Sequence, residues 1–91
     1  MGQAASVAET NMVFASVEKV CRERGLRLTP LRRQVLELIL NAGGPVKAYD
    51  LLDSLKTSHH SAAPPTIYRA LEFLLENHFI HRLETLNAYV S

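Results

Sequence analysis

Apolar positions recur along this chain at helical spacing in four successive segments and then switch toward alternation. Val13, Val17, Val20 and Cys21 fall at i, i+4, i+7 and i+8 and predict one buried face of a first helix. Gly25 follows where a left-handed C-terminal cap is easiest. Thr29-Pro30 then reads as a start signal, with Thr as N-cap and Pro in the first helical position. Leu31, Val35, Leu38 and Ile39 form the stripe of this second helix, and Asn41-Ala42-Gly43-Gly44-Pro45 ends it as a loop. Ala48, Leu51, Leu52 and Leu55 predict a short third helix, poorly capped because Lys47 stands where Ser or Thr is preferred. Thr57 to Ala63 is a polar connection. Pro64-Pro65 restarts the chain into a fourth helix with a stripe of Ile67, Ala70, Leu71, Leu74 and Leu75. After Asn77 the period shortens toward two, and Phe79–Leu83 and Ala88–Val90 predict two short strands around a turn at Glu84–Asn87.

Four helices followed by a hairpin is the order of a winged helix-turn-helix: mainly α, with a small two-stranded β wing. The connection before the fourth helix is longer than the usual tight turn. A chain of 91 residues supports one core. Residues 1–11 carry no sustained apolar period and are expected to form a flexible tail, leaving 12–91 as the domain.

Net charge is only +1, so a diffuse basic surface does not argue for nucleic acid. The distribution is more informative. Lys19, Arg22, Arg24, Arg27, Arg32 and Arg33 place six of the ten basic residues within fifteen positions, a cluster able to face phosphates or to form a solvated, ion-paired helix face. The single cysteine, Cys21, excludes an internal disulfide and reads as a small core residue. No apolar run approaches the roughly twenty residues that span a bilayer, and no secretory signal pattern opens the chain. A reduced, cytoplasmic setting is expected.

Candidate chemistry concentrates on the fourth helix, the element that enters the major groove in this architecture. Arg69 lies almost opposite the apolar stripe, with Thr66 and Tyr68 toward the flanks of the first turn. A guanidinium can grip guanine O6 and N7, and a tyrosine can touch a thymine methyl or a phosphate. The start of the helix is expected to offer free N–H groups to phosphate. Glu72 and Glu76 in its second half oppose deep insertion, and they also leave open a reading in which Arg69 simply pairs with them. On the third helix Tyr49, Asp53 and Lys56 form an outward stripe: Tyr49 is a further contact candidate, while Asp53 and Lys56 pair within the helix or, alternatively, with a neighbouring protein on adjacent DNA sites. The pairs His78 and His81, and His59 and His60, are spaced for weak chelation but read more readily as solvated side chains.

Gly25-Leu26-Arg27-Leu28-Thr29-Pro30 with Arg32, Ala48-Tyr49-Asp50-Leu51-Leu52, and above all Pro65-Thr66-Ile67-Tyr68-Arg69-Ala70-Leu71 resemble the ferric uptake regulator superfamily. The run from Pro64 to Leu74, with His81, Glu84, Asn87, Tyr89 and Val90, is most similar to its zinc uptake regulator branch. The resemblance implies a bacterial repressor whose metal-loaded homodimer binds AT-rich palindromic operators in double-stranded DNA. It also implies that Tyr68 and Arg69 are recognition-helix contacts, Tyr49 a supporting contact, and Arg27 and Arg32 backbone contacts. His81 matches a ligand of the regulatory zinc. Leu31 departs from the family's usual Gln after Thr-Pro, and Lys47 from its small polar cap. The chain stops at Ser91, before the family's remaining zinc ligands and its C-terminal dimerisation domain, so zinc is expected in the full-length protein and no tight metal in this stretch alone.

Two other classes compete. An enzyme would need a phosphate-cradling glycine loop, paired carboxylates or a nucleophile with its base, and the sequence has none of these; no small-molecule substrate or membrane partner is expected. A protein-docking winged helix would use Tyr49, Phe73 and Phe79 as exposed anchors. Within the DNA-binding class, an iron- or peroxide-responsive regulator is the alternative to a zinc-responsive one.

Overall fold

The computed structural model describes residues 7–58 and 63–91. Four helices, α1 (Val7–Arg24), α2 (Pro30–Asn41), α3 (Ala48–Ser58) and α4 (Pro64–Glu76), are joined by three strands, β1 (Val46–Lys47), β2 (His81–Leu83) and β3 (Ala88–Val90). A 3-10 turn over Glu84–Leu86 links β2 to β3. The pair His59 and His60 lies outside the described residues, as does most of the polar connection; Thr57 and Ser58 belong to α3.

The local signals act as their chemistry dictates. Gly25 adopts φ +68, and its N–H and that of Leu26 donate to the Arg22 and Cys21 carbonyls at 3.3 and 2.7 Å, the paired bonds that close a helix through a left-handed residue. Thr29 caps α2 by accepting the Arg32 N–H at 3.3 Å, with Pro30 behind it. The same closing geometry recurs at the end of α4 without glycine. His78 takes φ 61, its N–H donates to Leu75 O at 3.0 Å, and Phe79 N–H donates to Leu74 O at 2.9 Å.

Several elements differ from expectation. α1 begins at Val7, so residues 7–11 are helical rather than tail. Its buried stripe is Thr10, Phe14, Val17 and Cys21, with Val13 exposed and Val20 half-buried, because the large Phe14 ring takes the inward position and Thr10 is held one turn earlier by its hydroxyl donating to Asn41 Oδ1 at 3.3 Å. α2 likewise buries Val35, Leu36, Ile39 and Leu40, leaving Leu31 and Leu38 half-buried. This helix sits at the centre, packing chiefly on α4 and also on α1 and α3, so its covered face is wider than one stripe.

The sheet has three strands rather than two, in the order β1-β3-β2, all antiparallel. Val46 pairs with Tyr89 and Lys47 with Ala88; across the wing His81 pairs with Val90, Arg82 with Tyr89 and Leu83 with Ala88. β1 is too short to show a period. It also accounts for the missing cap on α3: Lys47 is a strand residue, and the Ala48 N–H donates to the Asn87 carbonyl at 3.3 Å. Asn87 accommodates the turn with φ 48, a conformation that Asn tolerates better than most residues. A single core results, in which Leu36, Leu51, Leu55, Ile67, Leu71, Leu74 and Ile80 are almost wholly enclosed.

Candidate nucleic-acid interface

With Ile67, Ala70, Leu71 and Leu74 turned inward, α4 presents Pro65, Tyr68, Arg69, Glu72 and Glu76 to solvent. This stripe is polar along its length but divided in charge: an aromatic and a cation stand in the first half, two carboxylates in the second. An anionic partner is therefore admitted at the N-terminal half and repelled from the C-terminal half. Arg69 Nη2 donates to Thr66 Oγ1 at 3.4 Å, and among the described residues Arg69 makes no ion pair with Glu72 or Glu76. Tyr68 is 45% exposed.

The start of α4 does not offer the free N–H groups expected of it. Pro64 and Pro65 carry no N–H, and the first two that exist, on Thr66 and Ile67, both donate to the Ala63 carbonyl at 2.9 and 3.2 Å. Two prolines preset the helical φ and fix where the helix begins. They leave anion recognition here to side chains.

Thr66 and Arg69 join Thr29 and Arg32 around an open cleft of about 200 Å³ between the first turns of α2 and α4. Arg32 is engaged within the protein by two contacts. Its Nη1 donates to the Arg27 carbonyl at 2.6 Å, and its guanidinium carbon lies 3.9 Å from the centroid of the Phe73 ring. Arg27 itself is exposed on the loop that this bond restrains. Tyr49, on the first turn of α3, is 79% exposed, the highest value among the aromatic residues, and stands outside the lining of that cleft. Asp53 and Lys56 are both exposed on α3, and no ion pair joins them.

The rest of the basic cluster divides by role. Arg33 bonds Glu18 Oε2 through Nη1 at 3.2 Å, and its guanidinium carbon lies 4.7 Å from the Phe14 ring centroid, so it ties α2 to α1. Lys19, Arg22 and Arg24 remain solvated. Arg82, not among the residues expected from the sequence, is an exposed wing residue whose Nη2 donates to Asn87 Oδ1 at 3.0 Å. The arginine preceding the Asn-containing turn was the available signal.

His81 is exposed at the start of β2, and His78 is committed to a left-handed backbone position. Among the described residues no three His, Cys, Asp or Glu side chains gather to hold an ion. An exposed imidazole suits zinc, but one such donor does not make a tetrahedral site. Phe73 and Phe79, considered above as docking anchors, are half-buried and pack on each other with ring centroids 6.3 Å apart. Cys21 is enclosed, and burial raises its thiol above the ordinary value of 9.0 against the opposing pull of Arg32 and Arg24. No helix among the described residues is long and apolar enough to cross a membrane.

Helices closed by a short antiparallel wing, with an exposed aromatic–cationic face on the last helix, define a winged-helix domain. Residues 23–89 match the model of the ferric uptake regulator family, and the chain belongs to that family. It is 49% identical over 81 residues to the zinc uptake regulation protein of Escherichia coli (strain K12), a match that covers 89% of this chain and 47% of that protein. A solved structure described as a zinc uptake regulator complexed with zinc and DNA superposes with a TM-score of 0.85 at 46% identity, over 94% of this chain and 56% of that one. The crystal structure of apo XcZur gives 0.84 at 53% identity, over 93% and 59%. These are regulators by name, not enzymes, and the chain spans about half the length of the curated relatives it matches.

Proposed function

We propose that this chain is the DNA-binding domain of a zinc-responsive transcriptional repressor, and that it docks α4 into the major groove by the N-terminal half of that helix. The observation that carries the reading is the divided stripe on α4, which admits a polyanion at Tyr68 and Arg69 and excludes it at Glu72 and Glu76. Arg69 reads a base edge, Thr66 orients it, and Tyr68 and Tyr49 supply thymine-methyl or phosphate contacts. Arg27 contacts the phosphate backbone, and Arg82 does so from the wing. The zinc-and-DNA complex of a relative 46% identical to this chain supports the same use of this fold.

Zinc control and dimerisation belong to the whole protein. In that context His81 contributes one ligand to a regulatory zinc site. The homodimer sets two recognition helices about one helical turn apart on an AT-rich palindrome. Asp53 and Lys56, both exposed on α3 with no ion pair between them, pair with a neighbouring dimer on adjacent sites. Cytoplasmic residence in a bacterium follows from the same reading.

Fluorescence anisotropy on a labelled AT-rich palindromic duplex tests it. Binding should weaken steeply as salt rises, because each phosphate contact releases counterions, and should weaken further in Arg69→Ala. A salt-insensitive interaction, or none at low salt even when the full-length protein is loaded with zinc, would contradict it.

A further inference from the structure

Resting on that reading of α4, we infer that Arg32 is a positioning residue, which fixes the loop carrying Arg27 and the helix carrying Arg69 in one geometry without itself contacting phosphate. The guanidinium is held on two sides by different chemistry. Its Nη1 donates to the Arg27 carbonyl at 2.6 Å, and its central carbon lies over Phe73, 3.9 Å from the ring centroid. The backbone of the same residue is fixed too, since the Arg32 N–H donates to the Thr29 cap at 3.3 Å. Phe73 is braced in turn by Phe79. Arg32 and Arg69 together line two clefts beside α4, so the clamp sits next to the proposed reading arginine in both.

A phosphate contact needs a charge; this clamp needs a planar fork that bonds a carbonyl while stacking on a ring. Lysine keeps the charge and loses the fork. The two roles therefore predict opposite results for substitutions that leave the charge in place.

DNA affinity is measured against salt for the wild type, Arg32→Lys, Arg32→Gln, Phe73→Leu and the Arg32→Lys/Phe73→Leu double variant. With Arg32 as clamp, Arg32→Lys and Phe73→Leu each weaken binding about two- to fivefold, in proportion to an exposed cation–π contact. The double variant is then no weaker than the weaker single one, and the salt slope is unchanged throughout. The assignment is overturned if Phe73→Leu is silent, Arg32→Lys binds like the wild type and Arg32→Gln lowers the slope by about one.

A DNA-free arm separates this from failure of the reading of α4, which would appear as absent wild-type binding. In the free chain the Arg32 Hε proton should resonate upfield through the Phe73 ring current. In Phe73→Leu it should return to its ordinary position while the Arg27 and Arg69 amides move with it. An Hε at its ordinary position in the wild type would overturn the clamp even if DNA is bound.

Discussion

Arg69 Nη2 reaches back 3.4 Å to Thr66 Oγ1, one turn toward the start of α4, instead of forward to Glu72. The arginine is thereby held over the half of the helix that carries no carboxylates, and its charge is not spent within the protein. Arg69→Ala should weaken DNA binding by about 1–3 kcal/mol, or roughly five- to 150-fold. Thr66→Val keeps the shape and removes the bond, and should cost only about 0.5–1.5 kcal/mol. Titrations of the two variants against one duplex check the ranking; equal losses would mean that Thr66 touches DNA itself.

Arg33 and Arg32 are adjacent but face different helices. Arg33 joins Glu18 and the Phe14 ring on α1, with the ion pair about half exposed on both sides. Such a pair is worth about 0.2–1 kcal/mol and the ring contact about 0.5–1. Arg33→Ala should therefore lower unfolding stability by about 1 kcal/mol, within the range of those two contacts. Urea denaturation measures the loss, and the salt slope of DNA binding should stay as in the wild type. A reduced slope would return Arg33 to the phosphate-facing set.

Gly25 and His78 close two helices with the same left-handed backbone, one with the residue suited to it and one without. Nothing lies within 4 Å of a Cβ placed on Gly25, so Gly25→Ala should destabilise through backbone strain alone, by about 1 kcal/mol. His78→Gly removes a strain of about 1–2 kcal/mol against an entropic cost of about 0.5–1, and should stabilise by about 0.5–1 kcal/mol. Thermal melts of both variants should shift in opposite directions. A lower melting temperature for His78→Gly would show that the imidazole makes a contact worth more than the strain.

Cys21 is 3% exposed, and burial raises its thiol above 9.0. The native chain should react with a disulfide reagent only as fast as it opens, and denaturant should release the full thiol at once. The sign of the linkage follows: above 9.0 the unfolded thiol has begun to lose its proton while the folded one keeps it, so this group makes stability fall as pH rises there. Rapid labelling of the folded chain at neutral pH would contradict the enclosed position.

Elements whose signal is local were legible in the sequence. Thr29-Pro30, Gly25 and Pro64-Pro65 place their helix ends by the chemistry of one or two residues, and Tyr68-Arg69 stand out because they share their side of α4 with Glu72 and Glu76 and with no aliphatic chain longer than Pro65. What was not legible depends on contacts across the chain. β1 exists because Val46 and Lys47 find β3 some forty residues later, a pairing that two residues cannot announce. α1 extends back to Val7 because Thr10 and Phe14 meet α2, and its stripe turned accordingly. Arg32 reads as a surface cation until Phe73 and the Arg27 carbonyl are brought to it by folding. The start of α4 lacks the expected phosphate site for a reason that is itself local: its first two residues are prolines, which carry no N–H.

Photocrosslinking tests the placement of α4 most directly. An AT-rich palindromic duplex with 5-iodouracil in place of single thymines carries iodine where the thymine methyl lies in the major groove, and irradiation joins it to a nearby aromatic side chain. Crosslinks in the half-site should map by peptide mass to Tyr68, with Tyr49 as the secondary position, and should fade in Arg69→Ala. Crosslinks confined to residues of β2, β3 or α1 would contradict the account by placing another element in the groove.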